Sequence, residues 1–183
     1  VELDSRLPDI LSGQKRIADT AECLALARLC QMPCKKLYAV AVRFYRDAFS
    51  AQPKQADDLI VQHRYNAACA AALAGCGRGV DADKLELKER ARLRQQALDW
   101  IQADLKAYRQ VMEKSAGKAG PAIAQQMQHW LQDADFAGVR GEEALAKLPE
   151  SERAEWQKLW ATVAATLAQT QGKAAADKKA DTK

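Results

Sequence analysis

The chain is poor in residues that interrupt regular structure. It has nine Gly and five Pro in 183 positions, 6% aromatic residues and two His. So little Gly and Pro excludes a collagen-like chain, and a 48% apolar fraction excludes wholesale disorder. The longest unbroken apolar run, Ala67 to Ala74, is far too short to cross a bilayer, so no membrane partner is expected. Charge of one sign is also lacking. There are 28 Lys and Arg against 24 Asp and Glu, a balance of +4 that suits solubility. Nucleic-acid binding usually calls for a clustered basic stripe. The five cysteines (Cys23, Cys30, Cys34, Cys69 and Cys76) are odd in number, which argues against a disulfide framework. They read as small buried hydrophobes in a reducing, cytoplasmic compartment. The chain begins at Val1 with no basic-then-apolar leader pattern, as expected of a module from a longer or processed protein.

Alanine fills the space these absences leave. It occupies 37 of the 183 positions, and it has the best helix propensity. The expectation is an all-α fold. Residues 1–18 read as a linker or short docking helix, with Leu3, Leu7, Ile10 and Leu11 at helical spacing around Pro8. Asp19-Thr-Ala-Glu22 has the form of a capping box. It opens a helix carrying Leu26, Leu29 and Cys30 on one face and ending near Pro33. A second helix, about Leu37 to Ala51, buries Tyr38, Ala41, Tyr45, Ala48 and Phe49 and closes at Pro53. Two amphipathic helices joined by a short turn imply an antiparallel hairpin.

A third helix, about Leu59 to Ala74, is apolar nearly all round with small side chains, and so belongs between other helices. Gly75-Cys-Gly-Arg-Gly79 ends it. The segment follows a helix and lacks a following Lys-Ser/Thr, so it reads as a helix stop and flexible loop, not a phosphate loop. The fourth helix, about Asp83 to Lys114, has a stripe of Leu87, Ala91, Leu98, Ile101, Leu105, Tyr108 and Met112 with a gap at Arg94. Leu93, Ala97 and Trp100 widen it. Its polar face mixes Arg90, Arg92, Arg94, Lys106 and Arg109 with Glu86, Glu89, Asp99 and Asp104, the pattern of an ion-paired solvated surface. After a break, Pro121 starts a fifth helix with Ile123, Met127, Trp130 and Leu131 inward. A turn anchored by Phe136 and Val139 follows, then a short helix from Glu142 to Leu148. The last helix starts after Pro149, buries Trp156, Leu159, Trp160, Val163 and Leu167, and stops at Gly172. Residues 172–183 contain no large apolar side chain and read as a disordered tail.

Ala41, Tyr45, Ala48 and Pro53 stand at offsets that resemble the second helix and closing proline of a tetratricopeptide (TPR) repeat. Tyr65-Asn-Ala-Ala68 is similar to a TPR first helix, with Ala97-Leu-Asp-Trp-Ile101 as its partner inside the long helix. This second unit departs from the pattern in its longer loop and in Asp104, which stands where a small residue is usual. The phrases at 63–73, 94–105, 129–140 and 144–160 extend the likeness. Together they resemble the C-terminal TPR-containing region of planctomycete-type bacterial serine/threonine protein kinases. The resemblance implies TPR-like hairpins, about 19–53 and 59–114, with a helical extension at 121–171, all within one domain spanning 19–171. It further implies a kinase domain N-terminal to Val1. The chain itself has none of the kinase signatures.

Candidate chemistry is sparse. His63 and His129 have no partner in a recognised metal spacing, and there is no Cys-x-x-Cys, so no metal or other cofactor is expected. No Ser or Cys sits in a nucleophile motif, so no enzymatic activity is expected. The four tryptophans lie on apolar stripes and read as core, the alternative being interface anchors. On the TPR likeness, Asn66 matches a position that contacts a bound peptide backbone, and Arg28 is its equivalent in the first unit. Gln31, Gln62 and Tyr65 complete the candidate groove. The expected function is protein–protein interaction with a protein or peptide partner. A homodimerisation module is the alternative, with nucleic-acid binding through Arg90, Arg92 and Arg94 a more distant one.

Overall fold

The computed structural model describes residues 2–115 and 118–180, and side chains as far as residue 171. It is all-helical, with no strand among the described residues. The chain divides into two compact units, Val1–Trp100 and Ile101–Lys183. The sequence reading treats 19–171 as one domain. The division instead falls inside the long helix Leu87–Lys114, which at 28 residues is about 42 Å long, more than one small core covers.

Unit 1 opens with α1 (Glu2–Leu11), the docking-helix option for the N-terminal segment. Leu7 and Ile10 are buried, and Arg6 and Lys35 make ion pairs with Glu22 and Asp4. The Asp19 carboxylate caps α2 (Thr20–Gln31) by accepting from the Glu22 N–H at 2.8 Å. Glu22 reaches back to accept from the Ala18 N–H at 2.6 Å, one residue before the usual capping-box donor. Next comes α3 (Tyr38–Ala51), which runs antiparallel to α2. The Cys23 thiol donates to the Phe44 carbonyl, and the Leu37 N–H donates to that of Cys30, a register that only opposed directions allow. Leu26, Ala27, Cys30, Ala41, Val42, Phe44, Tyr45 and Ala48 are all buried between them. Tyr38 and Phe49, expected in that core, lie only part-buried at its margin.

A 3₁₀ turn at Pro53–Gln55 follows, and then α4 (His63–Gly75), packed on α3. α4 starts four residues later than its apolar pattern suggests. The Asp58 carboxylate accepts from the N–H groups of Ile60 and Val61, and Gln62 is left-handed at φ 60°. That local turn competes successfully with a helix. Ala67, Ala68, Ala70, Ala71, Ala72 and Ala74 are essentially inaccessible, the central position expected for so small-sided a helix.

The glycine-rich segment stops α4 but is docked, where a flexible loop was expected. The Val80 N–H donates to the Lys36 carbonyl at 3.0 Å, and the Val40 N–H donates to Asp81 Oδ2 at 2.8 Å. Gly79, at φ 99°, lets the backbone pass where a Cβ would stand 2.6 Å from the Lys36 oxygen. The long helix α5 (Leu87–Lys114) begins four residues after Asp83. The Arg90 guanidinium draws the preceding segment round, donating to the carbonyls of Ala82, Asp83 and Leu85. Leu87, expected in the apolar stripe, is accordingly exposed at 83%. The gap in that stripe has a function: Arg94 Nη1 donates to the Gly75 carbonyl at 2.8 Å.

Unit 2 takes the second half of α5, then α6 (Gly120–Gln132), a 3₁₀ turn (Ala134–Val139), α7 (Glu142–Leu145) and α8 (Glu150–Ala180). α6 packs against α8. α7 is shorter than expected because Arg153 donates to the carbonyls of Leu145, Ala146 and Leu148 and so closes the helix end. Phe136, Trp156 and Trp160 cluster with centroids 5.5–6.5 Å apart, and Tyr108 meets Trp130 edge to face at 5.8 Å. The Trp160 indole N–H donates to the Val139 carbonyl at 2.7 Å, and Arg140 stacks over the same ring while donating to the Trp130 carbonyl. Toward its end the inner face of α8 uses Thr166 and Thr170, which are buried, where Leu167 was expected. Their hydroxyls donate to the carbonyls of Thr162 and Leu167, so burial leaves those donors satisfied. The helix runs past Gly172 to Ala180, through an alanine-rich stretch of high helix propensity that was expected as tail. The last three residues of that expected tail lie outside the described ones.

Candidate partner-binding face

α2 and the start of α4 meet at one polar place. Arg28 lies on α2, and its Nη2 is 3.5 Å from His63 Nδ1 on the first turn of α4. A guanidinium can only donate, so His63 Nδ1 accepts and the ring carries its proton on Nε2. His63 is 7% exposed. Burial, and then the Arg28 charge, hold its pKa below the usual histidine value. The neutral ring is therefore the form that fits.

Around this contact the sequence-predicted residues sort by depth. Arg28 is exposed, and Gln31, Gln62 and Asn66 are part-exposed. Gln31 lies one turn beyond Arg28 on α2, and its amide donates to the Tyr45 hydroxyl at 2.9 Å. Tyr45 is fully buried, which pushes its pKa up to about 12 and keeps the phenol neutral. Gln62 immediately precedes α4 and Asn66 lies on its first turn, and the Asn66 N–H donates to the Gln62 carbonyl. Tyr65 departs from the expectation. It is 5% exposed, so it supports the face from beneath and offers little contact area.

His63 is the residue that sequence reasoning missed, having weighed it only as a metal ligand. Its place next to Gln62, within four residues of Asn66, was the available signal. Below the face Arg64 is buried and pairs with Asp57 at 2.8 Å. Asp58 holds the turn that aims His63, and its two backbone donors, from Val61 and then Ile60, hold its carboxyl below the usual range. Cys23 and Cys30 are inert by contrast. Burial raises their thiols to about 11 and about 12, so they stay protonated at neutral pH.

Three of the four tryptophans are core residues: Trp130, Trp156 and Trp160 are 8% exposed or less. Trp100 is part-exposed and meets Phe49 edge to face at 5.9 Å. No helix among the described residues is long and apolar enough to cross a membrane. Comparison with protein-family models, curated proteins and solved structures finds no match to this chain.

Proposed function

We propose that this chain is a non-catalytic protein–protein interaction module, a TPR-like helical domain that holds a peptide segment of its partner on the α2/α4 face. The observation that carries this reading is the Arg28–His63 contact, which ties α2 to the first turn of α4 at one polar place. Arg28 and Gln31 on α2, with Gln62 at the N-cap of α4 and Asn66 on its first turn, offer donors and acceptors suited to a peptide backbone. The same residues occupy the groove positions that the TPR resemblance implies. On that resemblance, the module docks partners or substrates for a serine/threonine kinase domain in the same parent chain.

The test is recovery of partners on the immobilised chain from an extract of its source cells, with Arg28→Ala, Asn66→Ala as the paired variant. Bands retained by the parent and lost by the variant support the face. Equal recovery by both refutes the assignment. Helical circular dichroism of the variant checks that the fold is retained, as expected for two residues outside the core.

A further inference from the structure

Unit 2 carries a groove of about 390 Å³ between the second half of α5 and the first part of α8. Its floor is apolar, made by Leu105 and Leu159, which are 5% and 2% exposed. Three cations stand around it: Lys106 and Arg109 on α5, and Lys158 on α8. All three are exposed, and none is paired with a carboxylate among the described residues. The one acid in the lining is Glu113, a turn beyond Arg109. Several other surface charges are paired, as in Arg6–Glu22, Lys15–Asp9, Lys35–Asp4 and Arg92–Glu89. This groove therefore combines an unbalanced positive rim with a narrow apolar floor.

We propose that the α5/α8 groove binds an acidic segment of a protein partner, one that seats an apolar side chain on Leu105 and Leu159 between carboxylates facing Lys106, Arg109 and Lys158. Charge complementarity selects the occupant. A rim of like charge costs little against carboxylates and repels basic segments. The floor adds a requirement that phosphate backbones do not meet, because they have no apolar group to bury there. Glu113 marks the end of the groove at which an acidic residue is unwelcome, so the ligand has a direction. The site lies wholly in unit 2 and does not depend on the α2/α4 face.

The experiment uses the full chain and a fluorescein-labelled synthetic peptide in which Leu recurs at helical spacing among Asp and Glu. Anisotropy is read at low salt, with chemical shifts of 15N-labelled protein to locate the peptide. Expected results are shifts confined to the α5 and α8 residues named, and a Kd weakened about tenfold or more by Lys106→Glu, Arg109→Glu. Glu113→Gln tightens binding by about twofold, and Arg28→Ala, Asn66→Ala leaves it unchanged. Both α5 charge reversals are on exposed positions, and Lys106→Gln, Arg109→Gln is the milder pair should the reversal unfold the chain. The proposal is overturned by no binding or by shifts elsewhere. It is equally overturned by indifference to both charge variants, or by tighter binding of duplex DNA or phosphatidylserine vesicles to the same residues.

Discussion

Replacing Asp81 by Ala removes a helix cap supplied from a distant loop. The first turn of α3 has four backbone N–H groups with no partner inside the helix, and its own N-cap residue, Leu37, makes no side-chain cap. Asp81, 41 residues away from Val40 in sequence, accepts the Val40 N–H at 2.8 Å. Loss of an N-cap acceptor costs about 1 kcal/mol. The carboxylate at the positive end of the α3 dipole adds about 0.3–1 kcal/mol. A loss of about 1.5 kcal/mol therefore follows for Asp81→Ala. Asp81→Asn keeps an oxygen acceptor and loses only the charge, so it costs about 0.5 kcal/mol. Urea unfolding followed by helical circular dichroism reads both values as midpoint shifts at constant slope. Hydrogen exchange at the Val40 amide supplies the local readout, with protection reduced most in the Ala variant. Equal stability of all three proteins, with Val40 protection unchanged, would refute the tertiary cap. Equal losses in Ala and Asn would show that charge alone acts and the acceptor geometry does not.

Two further outcomes follow from the same region. Gly75→Ala is expected to destabilise by about 1–2 kcal/mol in urea melts, despite the better helix propensity of Ala. A Cβ there would stand 2.6 Å from Arg94 Cγ and 2.8 Å from the Arg94 backbone nitrogen. A stabilised variant would mean that the approach of α4 to α5 is not close. The lowered pKa of His63 predicts a pH effect of definite sign. In the unfolded chain His63 protonates near the ordinary histidine value of 6.5, but in the folded chain it resists. Its contribution is fully present above that pH and is lost as pH falls through it. Urea midpoints at about pH 7.5 and about pH 5.5 should therefore converge in His63→Gln relative to the parent. An unchanged difference would count against a buried neutral ring.

How much of this was legible in advance depends on distance along the chain. The Asp19 cap, the stripes of α2, α3 and α6, and the stops near Pro33, Pro53 and Gly75 involve residues a few positions apart, and the periodicity displays them directly, whereas α8 passes the stop expected at Gly172. The crowding of alanine at 67–74 likewise announced a central helix, since only small side chains permit approach on all sides. Of the candidate face, Arg28, Gln31, Gln62 and Asn66 were nameable and stand outside the core, whereas Tyr65 read as a contact and is buried. Nothing local distinguishes those two environments for a tyrosine on a helix buried nearly all round.

Sequence by itself thus determined that the chain is all-helical, roughly where its helices lie, and which apolar faces they bury. Backbone propensity and side-chain periodicity are properties of neighbouring residues, and they need no tertiary partner to be read. Tertiary structure alone decided that the 76–86 loop docks on α3, that Arg94 is a deliberate gap answering Gly75, and that His63 belongs with Arg28. Each of these joins groups that lie 19 to 41 residues apart. Their meeting depends on the register of one helix against another, which is fixed by how alanine and glycine surfaces interlock and leaves no periodic mark in the chain.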